Sequence, residues 1–187
     1  MRKLALISAS LLLGAALAGC TKQAIQLTYD KQEANIEKVV ESVLKQDENA
    51  TVEYPDGVVR VRLSASTSTE SDIQLEKGGT VSFYSGGYTL PSTSISTSNL
   101  FATNLKELAE ASGWSNLDES GFEVEKVVIG KGELVPGLEK GLVGVRKGDN
   151  ILILFSGKYG WGNKPRGMVP ARSALAWQIW VEDVTNE

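Results

Sequence analysis

Histidine is absent from this 187-residue chain, and cysteine occurs once. The first absence removes every His-based triad and imidazole metal site. The second removes an internal disulfide and any thiolate cluster, so much nucleophilic and metal-assisted chemistry is excluded at the outset. A surplus of positive charge is missing as well. With 19 Lys and Arg against 23 Asp and Glu, the net charge of -4 offers no field to hold a phosphate backbone, and nucleic acid is not an expected partner. What remains, 42% hydrophobic and 22% charged residues, suits one ordinary globular domain behind a leader.

The long apolar run sits at the start and is short. Met1, Arg2 and Lys3 precede the stretch from Leu4 to Ala18, which falls below the roughly 20 apolar residues a membrane-crossing helix needs. The pattern predicts an export signal over residues 1–19. Leu17-Ala18-Gly19-Cys20 resembles the bacterial lipobox, which implies cleavage before Cys20 and a diacylglyceryl group on its sulfur. Lipidation would account for one unpaired cysteine in an exported chain and would place the protein on a lipid bilayer. Thr21 is not acidic, so the resemblance to the sorting pattern implies the outer membrane of the cell envelope, facing either the periplasm or the cell surface. Residues 20–29 would form a tether.

Asp30-Lys31-Gln32-Glu33 has the spacing of a capping box and predicts a helix over 30–48. Ile36, Val39, Val40, Val43 and Leu44 fall on one face of it, which must be buried, either against the chain's own domain or in self-association. The period then changes to two. Val59, Val61 and Leu63 alternate with Arg60 and Arg62 after Pro55-Asp56-Gly57, and the arrangement predicts a hairpin. Lys77-Gly78-Gly79 marks a second turn before a strand at Thr80–Tyr84, while Ser64–Ser71 and Pro91–Asn99 are too polar for a core and predict surface loops. Asn104 with Glu107 repeats the capping spacing, and Gly113 can end the short helix it starts. Strands are predicted at Val124–Ile129, Ile151–Phe155 and Ala174–Val184, the last with Leu175, Trp177, Ile179 and Val181 on one face.

Four blocks carry a resemblance to a known family. They are Phe83-Tyr84-Ser85-Gly86, the segment Val128–Leu142, Lys147-Gly148-Asp149 through Tyr159-Gly160-Trp161-Gly162, and Val169-Pro170 through Leu175-Ala176-Trp177. In this order they resemble the FKBP-type prolyl isomerases, over about two-thirds of the chain. The resemblance implies an α+β fold spanning residues 51–187, an antiparallel half-barrel sheet of about five strands wrapped around a short helix near Val135–Val143, with an N-terminal helical extension. It also admits a homodimer through that extension, as in family members that pair by N-terminal helices. Gly130-x-Gly132 lacks the third Gly and the Lys-Ser/Thr of a phosphate loop.

The implied activity is cis-trans isomerisation of X-Pro bonds in exported polypeptides, a reaction that needs neither cofactor nor metal. The implied pocket is Tyr84, Phe101, Leu134, Val135, Leu138, Trp161 and Trp177, with the Val135 amide donating to a substrate carbonyl. Trp161 stands where the family has a Tyr, and Trp177 where it has a Phe. Leu138 replaces the Trp of the pocket floor, and Ala102 replaces an Asp expected to hydrogen-bond Tyr84. Glu125 occupies an aromatic position unless the strand shifts to bring in Val124. These departures favour a second reading, a polypeptide-binding chaperone or complex subunit with weak or no catalysis.

Overall fold

The computed structural model describes residues 2–115 and 117–186, with side chains from Lys22 onward. A long helix, α1 (Arg2–Gln46), opens the chain. The hairpin β1 (Thr51–Glu53) and β2 (Val59–Arg62) follows, turned by Asp56 and Gly57, both at positive φ. The remaining elements are β3 (Thr80–Thr89), β4 (Leu100–Thr103), α2 (Lys106–Ala111), β5 (Glu125–Val128), α3 (Pro136–Leu142), β6 (Asn150–Phe155) and β7 (Leu175–Thr185). All strand pairs are antiparallel, in the order β1-β2-β6-β7-β3-β4, with β5 beside the first half of β3 on the edge that β4 uses further along. The sheet has seven strands rather than about five, because β1, the first arm of the hairpin, and the short β4 also join it.

The run Ile151-Leu152-Ile153-Leu154-Phe155 is apolar at every position, and a strand of that kind must be covered on both faces. Ile151, Ile153 and Phe155 meet Leu138 and Leu142 of α3, together with Val81, Phe83, Leu175 and Ile179. On the opposite face, Leu152 and Leu154 join Ile36, Val39 and Val40 of α1, with Tyr88, Leu90 and Leu100. The apolar stripe of α1 is thus buried within the chain's own domain. Gly137 and Gly141 let α3 lie on β6: a Cβ on them would come within 2.4 Å of the Phe155 ring and 2.3 Å of Ile153.

Two expected helix caps are not caps. α1 runs through 20–29, the stretch expected as a tether, and does not start at Asp30, whose carboxylate accepts from Gln26 one turn earlier (2.7 Å). Glu33 turns instead to the Ser156 hydroxyl at 3.2 Å. Asn104 does not cap α2 either. Its Oδ1 accepts from the Ser85 amide at 2.6 Å and its Nδ2 donates to the carbonyls of Phe83 and Glu123, so it ties β3 to the segment before β5. In both places a tertiary partner offered more than the local turn. Cys20 and the leader lie outside the residues with described side chains, and among the described residues no helix is long and apolar enough to cross a membrane.

Candidate functional site

Phe101, Trp161 and Trp177 come from β4, the loop after β6, and β7. They meet edge to face: the Phe101 ring centre lies 5.8 Å from that of Trp161 and 5.5 Å from that of Trp177, with interplanar angles of 72° and 89°. Such crossings set the positive edge of one ring against the negative face of another. Local backbone explains the aim of Phe101. Gly87 faces Ala102 and Tyr88 faces Leu100, which leaves Phe101 as the extra residue of a β-bulge, a device that redirects a side chain. All three rings are partly exposed and pack on the core cluster that contains Val135 and Leu138, with Leu134 beside them.

Gly87 was missed by sequence reasoning, though a Gly-Gly pair within a strand is a signal of close approach. A Cβ at Gly87 would lie 2.9 Å from Trp177 Cη2 and 3.0 Å from Phe101 Cζ, so the rings need its bare backbone. The Val135 amide donates to no acceptor among the described residues, while the Val135 carbonyl accepts from Glu139 at 3.1 Å as the first turn of α3 forms. That amide is one of the unpaired donors that every helix start leaves. Pro136 and Gly137 then set α3, and the Gly137 amide donates to the Tyr159 carbonyl at 2.8 Å, tying the helix start to the Trp161 loop. Trp177 Nε1 is buried and has no hydrogen-bond partner among the described residues.

Tyr84 is not among these residues. Along β3 the side chains of Val81 and Phe83 enter the core under α3, and Gly87 faces Phe101 and Trp177; alternation sends Tyr84 to the other face, opposite Trp180. Its cross-strand position removes it from the cluster. Leu138 lies at the buried back of the site rather than as an open floor, and Ala102 brings no polar group. Glu125 pairs with Phe83, which turns its side chain to the face that carries the cluster, whereas Val124 is 43% exposed. The strand does not shift. Partial desolvation, and then the negative charge of Glu133, push the Glu125 carboxyl above the usual range, although the side chain keeps an exposed edge that moderates the effect.

An antiparallel sheet closed over a short helix, with aromatic residues gathered at the helix start, defines the prolyl-isomerase class of fold. The comparisons agree. Residues 112–182 match the family model described as FKBP-type peptidyl-prolyl cis-trans isomerase. A 58-residue stretch is 38% identical to mouse peptidyl-prolyl cis-trans isomerase FKBP9 and covers 31% of this chain; the human protein is 36% identical over the same length. The match spans about a tenth of the length of these curated relatives. Among solved structures, FkpA from Escherichia coli aligns with a TM-score of 0.54 at 17% identity, covering 96% of this chain and 71% of its own. A peptidyl-prolyl cis-trans isomerase from Pseudomonas syringae gives 0.51 at 12% identity, covering 82% and 96%. Residues 112–182 are thus similar to the FKBP-type peptidyl-prolyl cis-trans isomerases, and the fold around them is that of the solved family structures.

Proposed function

We propose that the protein catalyses cis-trans isomerisation of X-Pro bonds in exported polypeptides at the Phe101–Trp161–Trp177 cluster. The observation that carries this is the convergence of three rings from separated segments on the core cluster that holds Val135, whose helix-start amide has no acceptor among the described residues. The uncatalysed barrier of about 18–20 kcal/mol comes from amide resonance, which also separates charge between oxygen and nitrogen. Twisting the bond removes that separation. An apolar, water-poor surface therefore stabilises the twisted amide more than the planar one, and the Val135 N–H holds a carbonyl of the peptide while the bond turns. No nucleophile, metal or cofactor enters.

The test compares the full chain with Trp161→Ala and Phe101→Ala in a protease-free assay of a Xaa-Pro tetrapeptide. Acceleration by the parent and a fall of about tenfold or more in kcat/KM in both variants is the expected result, as for the loss of roughly 1.4 kcal/mol of transition-state contact. No acceleration by the parent would sink the catalytic reading.

A second reading is a polypeptide-binding chaperone or complex subunit with little catalysis. Ala102 in place of a carboxylate and the outward-facing Tyr84 support it, since both remove polar groups from the site. A groove of about 610 Å³ lined by Thr103, Trp114, Phe122 and Met168, with Thr103 two residues along β4 from Phe101, offers apolar surface for flanking residues of a client. Suppression of a client's aggregation without peptide turnover would select it. Anchoring through an acylated Cys20 to the cell envelope, most simply the outer membrane, completes the proposal; Cys20→Ser releasing the protein from the membrane fraction is the expected outcome, and unchanged fractionation would overturn it. A homodimer would need a surface other than the α1 stripe already buried on the sheet.

A further inference from the structure

The loop after β6 carries Trp161 and closes on itself at a narrow neck. Gly157 and Arg172 touch there: a Cβ on Gly157 would lie 2.5 Å from the Arg172 carbonyl oxygen. The Arg172 amide donates to the Gly162 carbonyl at 2.6 Å, and the Gly162 amide to the Gly157 carbonyl at 3.2 Å. Arg172 holds φ at 60°, in the left-handed region that a residue with a Cβ occupies only when its surroundings hold it there. One side chain from outside the loop grips both sides of this neck. Gln32 of α1 accepts from the buried Gly157 amide through Oε1 at 2.9 Å and donates to the Arg172 carbonyl through Nε2 at 2.6 Å. The orientation of the amide follows from its partners, since a backbone N–H can only donate and a carbonyl can only accept. Glu33 adds the Ser156 contact next door.

We infer that Gln32 is a positioning residue for the prolyl-peptide site: it latches the neck of the loop and so holds Trp161 against Phe101. The inference rests on the reading of the aromatic cluster as that site. α1 therefore does more than cover the back of the sheet. It contributes a side chain whose loss leaves the Gly157 amide without an acceptor and frees the strained turn at Arg172 to relax. A loosened loop populates the binding-competent arrangement less often, which weakens apparent binding by that fraction while leaving the chemical step of bound peptide unchanged.

The experiment uses the full chain and Gln32→Met, which keeps the length and packing of the side chain and removes both hydrogen bonds. Amide hydrogen exchange is read over residues 157–172 and, as an internal control on the fold, over 36–46. A prolyl tetrapeptide is titrated for its Kd and assayed for KM and kcat. The expected result is faster exchange at Gly162 and Arg172 with 36–46 still protected, a rise of about three- to tenfold in Kd and KM, and kcat within about twofold, as befits one to two hydrogen bonds. Gln32→Glu, which retains the acceptor toward Gly157 and loses the donor toward Arg172, should fall between parent and Gln32→Met. Loop exchange that does not change, or faster exchange with Kd unmoved, overturns the inference. If the parent binds the peptide without turning it over, the catalytic reading fails while Kd still decides the role of Gln32. A parent that binds no prolyl peptide sinks the reading of the site and this inference with it.

Discussion

At the scale of single residues, adjacent aromatics decide which side of a strand is functional. The sequence offers Phe83 and Tyr84 side by side, and family spacing favours Tyr84 for the pocket. Val81 and Phe83 set the phase, and Tyr84 goes out with Trp180. Nothing local distinguishes the two choices, because a shift of one residue reverses every side chain of a strand. Glu125 is a related case: the sequence left open whether Glu125 or Val124 would face the site, and the consequence of Glu125 facing it is electrostatic. Its carboxyl is raised, so the neutral acid is favoured in the folded chain; the resulting stability is present below the unfolded pKa and is lost as pH rises through the folded one. Glu125→Gln should therefore gain stability over the parent as pH climbs from about 4 to 7, read as a difference in urea midpoints at each pH. A constant difference would refute the assignment.

At the scale of elements, α3 is held at both ends. Its start is tied by the Gly137 amide to Tyr159. Its last carbonyls, on Gly141 and Val143, accept from Arg60 Nη1 at 2.9 and 2.6 Å. Arg60 is buried on β2 and pairs there with Glu53. Burial works to raise the Glu53 carboxyl, but the hydrogen bond and charge of Arg60, with Arg62 and Arg146 behind it, outweigh burial and hold it below its usual range. The alternating Val-Arg-Val-Arg pattern gave the strand, yet no pattern of that length says that the polar face will meet a helix end. A cation there complements the helix dipole as well as its open carbonyls. Arg60→Ala leaves two carbonyls and a carboxylate without their partner and should cost about 3 kcal/mol in equilibrium unfolding, whereas Arg62→Lys, which keeps a cation beside the buried Asp149, should cost about 1–2 kcal/mol. The hairpin turn and the inward face of β7 were legible because Gly, Pro and alternating apolar residues act through the nearest neighbours. Asp30 and Asn104 were misread because their partners, Gln26, Ser85 and Glu123, are chosen by the fold and not by the capping spacing.

At the scale of the molecule, the sheet is a shared wall between two cores, one under α3 and one under α1. The implied half-barrel around a short helix was correct, and the stripe of α1 was legible as a face to be buried; what the sequence left open was whether the chain's own sheet or a second copy would cover it. Ile36→Ala should then destabilise the whole protein by about 2–4 kcal/mol in a single cooperative transition, as for any buried large-to-small change, because Ile36 is as deeply buried as the core under α3. Two separate transitions would show that the cores melt independently.

The surface that receives α1 includes Leu152 and Leu154 of β6 and Ala176 of β7, more than a hundred residues further along the chain, beside Val59, Val61, Tyr88, Leu90 and Leu100. During synthesis the helix is made first and cannot complete its docking until β6 and β7 have followed. Its greasy stripe must wait, uncovered, for the final strands to arrive, and a chain stopped short of β7 would keep that stripe open to aggregation and proteolysis.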